Sequence, residues 1–189
     1  MDALLTTFIA AALAEFGDKT QLLVIALAIR YRRTVPIVAG VAVAALANNL
    51  IAAFAGTMIS GIITLRAISL LVALSLVFAG IAGLMRSKSP DDMGSTWKTG
   101  PFLTTAGCFF LLEFGDKTQF LTFALAAQYD ALALAAAGAT VGVIAANIPA
   151  AALSNRAASL LHLGRVRVIA AALFLAVGLA VAVSALRLV

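Results

Sequence analysis

Charge is what this sequence has least of. Aspartate, glutamate, lysine and arginine make up 11% of its 189 residues, against roughly 25% in a typical soluble domain. Cysteine and histidine occur once each, as Cys108 and His162. A single cysteine excludes an internal disulfide and any Cys–Cys metal spacing. Cys108 lies inside an apolar run and reads as a small packing residue. His162 lies in a polar stretch, which argues against a His-based transition-metal centre. It also leaves no Ser–His pairing inside the apolar segments, so the chain is not read as an intramembrane hydrolase. The net charge of +5 and pI near 10.0 do not point to nucleic acid. The basic residues sit in short gaps between apolar runs, with no basic stripe carrying interleaved aromatics.

What the sequence has is apolar surface: 63% of residues, with a mean hydropathy of +1.11. A soluble chain this short has too high a surface-to-volume ratio to hide that much. A bilayer removes the difficulty. A membrane span needs about 20 mostly apolar residues, and six segments qualify: roughly 3–29, 34–59, 66–86, 101–127, 131–154 and 167–187. Ala12-Leu13-Ala14 resembles a signal-cleavage site. Only Asp2, and no lysine or arginine, precedes the apolar stretch, so the first segment is expected to be a retained span. The reading is an all-α integral membrane protein of six transmembrane helices, with the lipid bilayer as its main partner. The loops are too short to form a soluble partner domain.

Outside the spans the chain has eleven lysines and arginines. Nine fall on one side: Arg30, Arg32, Arg33, Arg86, Lys88, Lys98, Arg156, Arg165 and Arg167. Arg66 and Arg187 fall on the other. The positive-inside rule places the larger group in the cytoplasm and both termini outside it.

The chain also repeats itself. Glu15-Phe16-Gly17-Asp18-Lys19-Thr20-Gln21 recurs as Glu113-Phe114-Gly115-Asp116-Lys117-Thr118-Gln119, an offset of 98 residues that also carries Gly40 onto Gly138 and Asn49 onto Asn147. This divides the chain into a three-helix repeat (1–86), a cytoplasmic linker (87–100) and a second three-helix repeat (101–189). Three is odd, so the halves are expected to be inverted about a pseudo-two-fold axis in the membrane plane. Transporters built this way hold substrate near the midplane, at the repeat interface.

Glu15, Asp18, Glu113 and Asp116 then lie at membrane depth beside Lys19 and Lys117. Charges at the bilayer centre cost about 2.5–3.5 kcal/mol each even on the lenient insertion scale, and mark functional sites when they face a cavity or one another. Glu15 and Asp18 are three apart, Glu15 and Lys19 four apart, so each motif gathers its charges on one helix face. Gly17 and Gly115 are placed to loosen the helix and free carbonyl oxygens. Thr20, Gln21, Thr118 and Gln119 offer further oxygens, as do Asn49 and Asn147; Asn48 has no counterpart. The ionised motifs together carry a charge of −2, the complement of one divalent cation. An all-oxygen donor set suits calcium, magnesium or manganese. A static ion-pair network is the bland alternative, but acids outnumber lysines two to one. For the asparagines, interhelical hydrogen bonding is an equal rival.

The doubled Glu-x-Gly-Asp-Lys/Arg-Thr/Ser signature, one copy in each three-helix half, resembles the Gdt-type family of manganese and calcium transporters. The resemblance covers essentially the whole chain. It implies secondary transport of manganese or calcium in exchange for protons, with Glu15, Asp18, Glu113 and Asp116 as the acidic residues carried over, and no cofactor beyond the transported metal. In bacterial members it implies manganese export. The absence of the long central loop of eukaryotic members points to a bacterial plasma membrane. The expected mechanism is alternating access: the halves rock about a midplane site, Lys19 and Lys117 pair with the acids when it is empty, and protons replace the departing cation. A downhill channel and an exporter of small organic cations are the alternatives. The ligand set accepts manganese and calcium alike, and the doubled motif accommodates one ion or two.

Overall fold

A computed structural model describes residues 1–85, 93–94, 97–153 and 163–186. Most of the expected linker, with Arg86 and Lys88, lies outside these residues, as do Arg156, His162 and Arg187. Among the described residues the chain is all helical and contains no strand. The helices are α1 (Asp2–Glu15), α2 (Lys19–Tyr31), α3 (Thr34–Ser60), α4 (Leu65–Leu84), α5 (Gly100–Glu113), α6 (Lys117–Tyr129), α7 (Leu132–Leu153) and α8 (Leu163–Leu186).

Four of them, α3, α4, α7 and α8, are each long and apolar enough to cross a membrane. They are apolar all round, as a helix solvated by lipid on one side and protein on the other must be. On α3 most inward positions after Ile37 and Val41 are small or polar (Gly40, Ala44, Ala45, Asn48, Asn49, Ala52), while Leu46, Ile51, Phe54 and Met58 are exposed. Small inward residues let helix backbones approach closely where no hydrophobic drive separates protein from lipid. α8 begins four residues before the expected boundary at 167, so Arg165 and Arg167 belong to its first two turns and not to a loop.

The expected first and fourth spans are not continuous helices. Each consists of two shorter helices end to end, interrupted at Phe16-Gly17-Asp18 and at Phe114-Gly115-Asp116. Gly17 and Gly115 adopt φ of 76° and 78°, in the left-handed region that a side chain disfavours. The next residue, Asp18 or Asp116, is extended and stands at the N-cap of the following helix. The motif thus ends one helix and starts another inside an apolar stretch.

The two halves interlock through equivalent contacts. A β-carbon on Gly40 of α3 would sit 2.8 Å from the Phe102 carbonyl oxygen and 2.9 Å from the Thr105 side chain on α5. A β-carbon on Gly138 of α7 would collide with the Leu4 carbonyl and the Thr7 hydroxyl of α1. Leu4 and Thr7 are the residues 98 before Phe102 and Thr105. Thr7 and Thr105 also each return their hydroxyl to their own helix, on the carbonyls of Ala3 and Pro101, at 2.7 Å. Each motif-bearing helix therefore packs mainly on the long helix of the other half.

Gly138→Val forces these backbones apart, and overpacking of this kind costs about 1–3 kcal/mol. A lowered thermal midpoint and poor monodisperse yield in detergent are expected. Gly61→Ala, at a helix end with nothing within 4 Å of the added carbon, is expected to melt like the parent chain.

Candidate functional site

Each break leaves helix-end groups without intrahelical partners among buried residues, and such groups must be satisfied. The glutamine three residues after each aspartate does this. Gln21 Oε1 accepts the Gly17 N–H at 2.9 Å and Gln119 Oε1 accepts the Gly115 N–H at 2.6 Å. Their amide nitrogens reach across the molecule. Gln21 Nε2 donates to the Ala146 carbonyl of α7 at 2.6 Å, and Gln119 Nε2 to the Asn48 carbonyl of α3 at 3.2 Å. Ala146 is the position 98 residues after Asn48. Both ends of each glutamine are thus engaged in holding its break against the opposite half.

The charged residues meet at this crossing. One carboxylate oxygen from each of Glu15, Asp18 and Glu113 lies within 4.8 Å of the other two, and all three residues are buried. Asp116 is outside this group. The lysines pair across the motifs: Lys117 Nζ lies 2.6 Å from Asp18 and Lys19 Nζ lies 3.3 Å from Asp116. Lys117 also reaches Asp116 at 3.5 Å, so it bridges the two aspartates. With Lys19 and Asp116 neutralising each other, the three clustered acids and Lys117 leave a formal charge of −2, again that of one divalent cation.

The two glutamates differ. Glu15 accepts hydroxyl hydrogen bonds on both oxygens, from Thr20 at Oε2 and Thr118 at Oε1, each at 2.7 Å. Glu113 Oε1 is buried with no hydrogen-bond partner among the described residues. A buried anionic oxygen without a donor is costly, and a hard cation is one group that would satisfy it. Asn49 is held on both sides, donating to Thr140 at 3.3 Å and accepting from Thr122 at 3.1 Å. Asn147 donates to the Val143 carbonyl at 2.9 Å, while its oxygen has no partner among the described residues. Asn48 donates to the Phe110 carbonyl at 3.2 Å. Thr122 and Thr140 were not among the expected site residues. Thr122 was findable, lying one helical turn beyond Thr118 on the same face; Thr140 has no motif to mark it.

The two motifs border cavities of unequal size. A cavity of about 470 Å³ between α3, α4 and α6 reaches Gly115, Asp116 and Gln119 past Phe78, Phe120 and Phe123. Among the described residues, a crevice of about 10 Å³ lies beside Asp18 and Phe16 and is lined also by Lys117, Arg167 and Phe174. Identical heptapeptides therefore have unequal exposure: Lys19 is 31% exposed at its side chain and Lys117 5%.

No solved structure matches the chain. A curated protein of Vibrio cholerae serotype O1, described as "Putative manganese exporter", is 38% identical over 184 residues, covering 96% of this chain and 91% of that protein. The match to a known family takes in both halves, residues 3–91 and 101–188, and with them both motifs. On that match the chain belongs to the divalent cation/proton antiporter GDT1 family, a family of transporters and not of enzymes.

Proposed function

We propose that this protein exports manganese across the inner membrane of a bacterium in exchange for protons, using one cation site built jointly by the two motifs. The observation that carries this reading is the convergence of Glu15, Asp18 and Glu113 on one buried point. The all-oxygen donor set suits manganese or calcium, and the likeness to the Vibrio protein described as a manganese exporter favours manganese.

In this reading α1 with α2, and α5 with α6, are each one broken span. Together with α3, α4, α7 and α8 they make six spans in two inverted repeats, with both termini outside the cytoplasm. Broken helices whose ends face a midplane site are a recurrent transporter plan. The reciprocal Gly40 and Gly138 contacts and the reciprocal glutamine ties support the pseudo-two-fold relation.

The cation is held by carboxylate oxygens while the halves rock about it. Exchanging the conformations of the two repeats turns the group Glu15, Asp18 and Glu113 into Glu113, Asp116 and Glu15. The two glutamates stay with the cation and the aspartates take turns, each released aspartate being neutralised by the lysine of the other motif. The cavity on the Asp116 side and the small crevice on the Asp18 side fit one end of that cycle. When the cation leaves, carboxylates without a partner in a low dielectric are neutralised by protonation, which couples metal exit to proton entry.

Asp18→Asn and Asp116→Asn are each expected to fold and to abolish manganese accumulation in inside-out vesicles driven by an acidic interior. Wild-type accumulation in either variant contradicts the scheme. In proteoliposomes, manganese carried by the wild-type protein is expected to move protons in the opposite direction, and a protonophore to abolish uphill accumulation. Downhill flux with no proton movement identifies a channel instead. Single cysteines at residues 2 and 186 of a Cys108→Ala chain are expected to react in whole spheroplasts with a membrane-impermeant maleimide. Labelling only after lysis would overturn the orientation.

A further inference from the structure

We infer that Asn147, and not its repeat counterpart Asn49, contributes a side-chain oxygen to the cation site. This rests on the reading of the two motifs as one cation site. The two asparagines occupy equivalent positions, 98 residues apart, and each is 2% exposed. Their surroundings are not equivalent. Asn49 donates its amide nitrogen to Thr140, and its oxygen shares the Thr122 hydroxyl proton with the Thr118 carbonyl. The residues equivalent to Thr122 and Thr140 in the first half are Val24 and Ala42, which have no hydroxyl. The positions equivalent to those that hold Asn49 therefore offer Asn147 no hydroxyl. The difference is chemical and is fixed by the sequence.

Asn147 donates only to Val143, within its own helix. Its Oδ1 is buried with no hydrogen-bond partner among the described residues. Buried amide oxygens are nearly always satisfied, and a bound ion is one of the groups that satisfies an otherwise unpartnered one. Its height on α7 matches the site. Gly138 faces Leu4 and Thr7, and Gly142 faces Phe8 and Ala12, so α7 and α1 advance together. One further turn brings Ala146 and Asn147 level with the C-terminus of α1, where Glu15 sits, and the neighbouring Ala146 carbonyl takes the Gln21 bond. A neutral amide oxygen adds a hard ligand without further charge, matching a site whose charge already equals that of one divalent ion. The oxygen of Asn48 is unpartnered as well. It has no asparagine counterpart, so the paired comparison of Asn147 with Asn49 isolates the ligand role.

The test is manganese titration of the purified full-length chain in detergent, with thermal melting of the metal-free protein alongside. Asn147→Ala is expected to weaken manganese affinity by about tenfold, the order of effect a supporting residue at a metal site has, and to leave the metal-free melting point unchanged or higher. Asn49→Ala is expected to do the reverse, melting lower because the side-chain link it makes between Thr122 of α6 and Thr140 of α7 is lost, with affinity kept. Asn147→Asp, which keeps the oxygen and adds charge, is expected to bind manganese more tightly. Wild-type affinity in Asn147→Ala, or equal weakening in both alanine variants, overturns the inference. Should Asn147→Ala fail to fold, unchanged affinity in Asn147→Asp overturns it instead. Failure of the wild-type chain to bind manganese refutes the site itself, an outcome distinct from either.

Discussion

The structure depends on the accommodation of six charges within apolar helical segments. No single motif achieves it. Each motif brings two acids and one lysine, and each lysine finds its aspartate in the other motif: Lys117 on Asp18, Lys19 on Asp116. A half of the chain on its own would leave its buried charges without these partners, and unpaired buried charge is expensive. Interlocking of the halves follows, with α1 on α7 and α5 on α3, glycines at the closest approaches and two glutamine ties drawn across.

The same requirement explains why the motif breaks its helix. A continuous helix would point Glu15 and Asp18 along one face and keep its backbone groups internally bonded. Placing a left-handed glycine between them ends α1 at Glu15 and puts Asp18 at the head of α2. The acids of one motif then approach the glutamate of the other from two helices rather than one. The glutamine satisfies the glycine N–H that the break exposes, and its far end fixes the break in place.

Much of this was legible in the sequence because the signals were strong. The apolar runs gave the long helices within a few residues, and seven consecutive identical residues in an Ala/Leu/Val background marked the duplication and the acids. The glycine was read as a point of loosening. That it divides each expected span into two helices, with a residue at φ near 76°, was not, because hydropathy registers composition and is blind to a three-residue change of backbone direction. The cross-pairing of the lysines was equally hidden, since the i, i+4 spacing of Glu15 and Lys19 suggests a local pair while tertiary packing supplies a closer one. Glutamine side chains counted as oxygens turned out to have both ends engaged by backbone. The inequality of Asn49 and Asn147 was written at Val24 and Ala42, two apolar residues with no motif to draw notice. Among identical repeats, the informative positions are those where the copies differ.

The central claim is that two motifs make one site. Equilibrium dialysis of manganese against the purified chain, with free metal read by electron paramagnetic resonance, tests it most directly when repeated on Glu15→Gln and Glu113→Gln. The account predicts one manganese per chain, lost in either variant. Two ions per chain, with one surviving in each variant, would mean that each motif binds alone, and would contradict it.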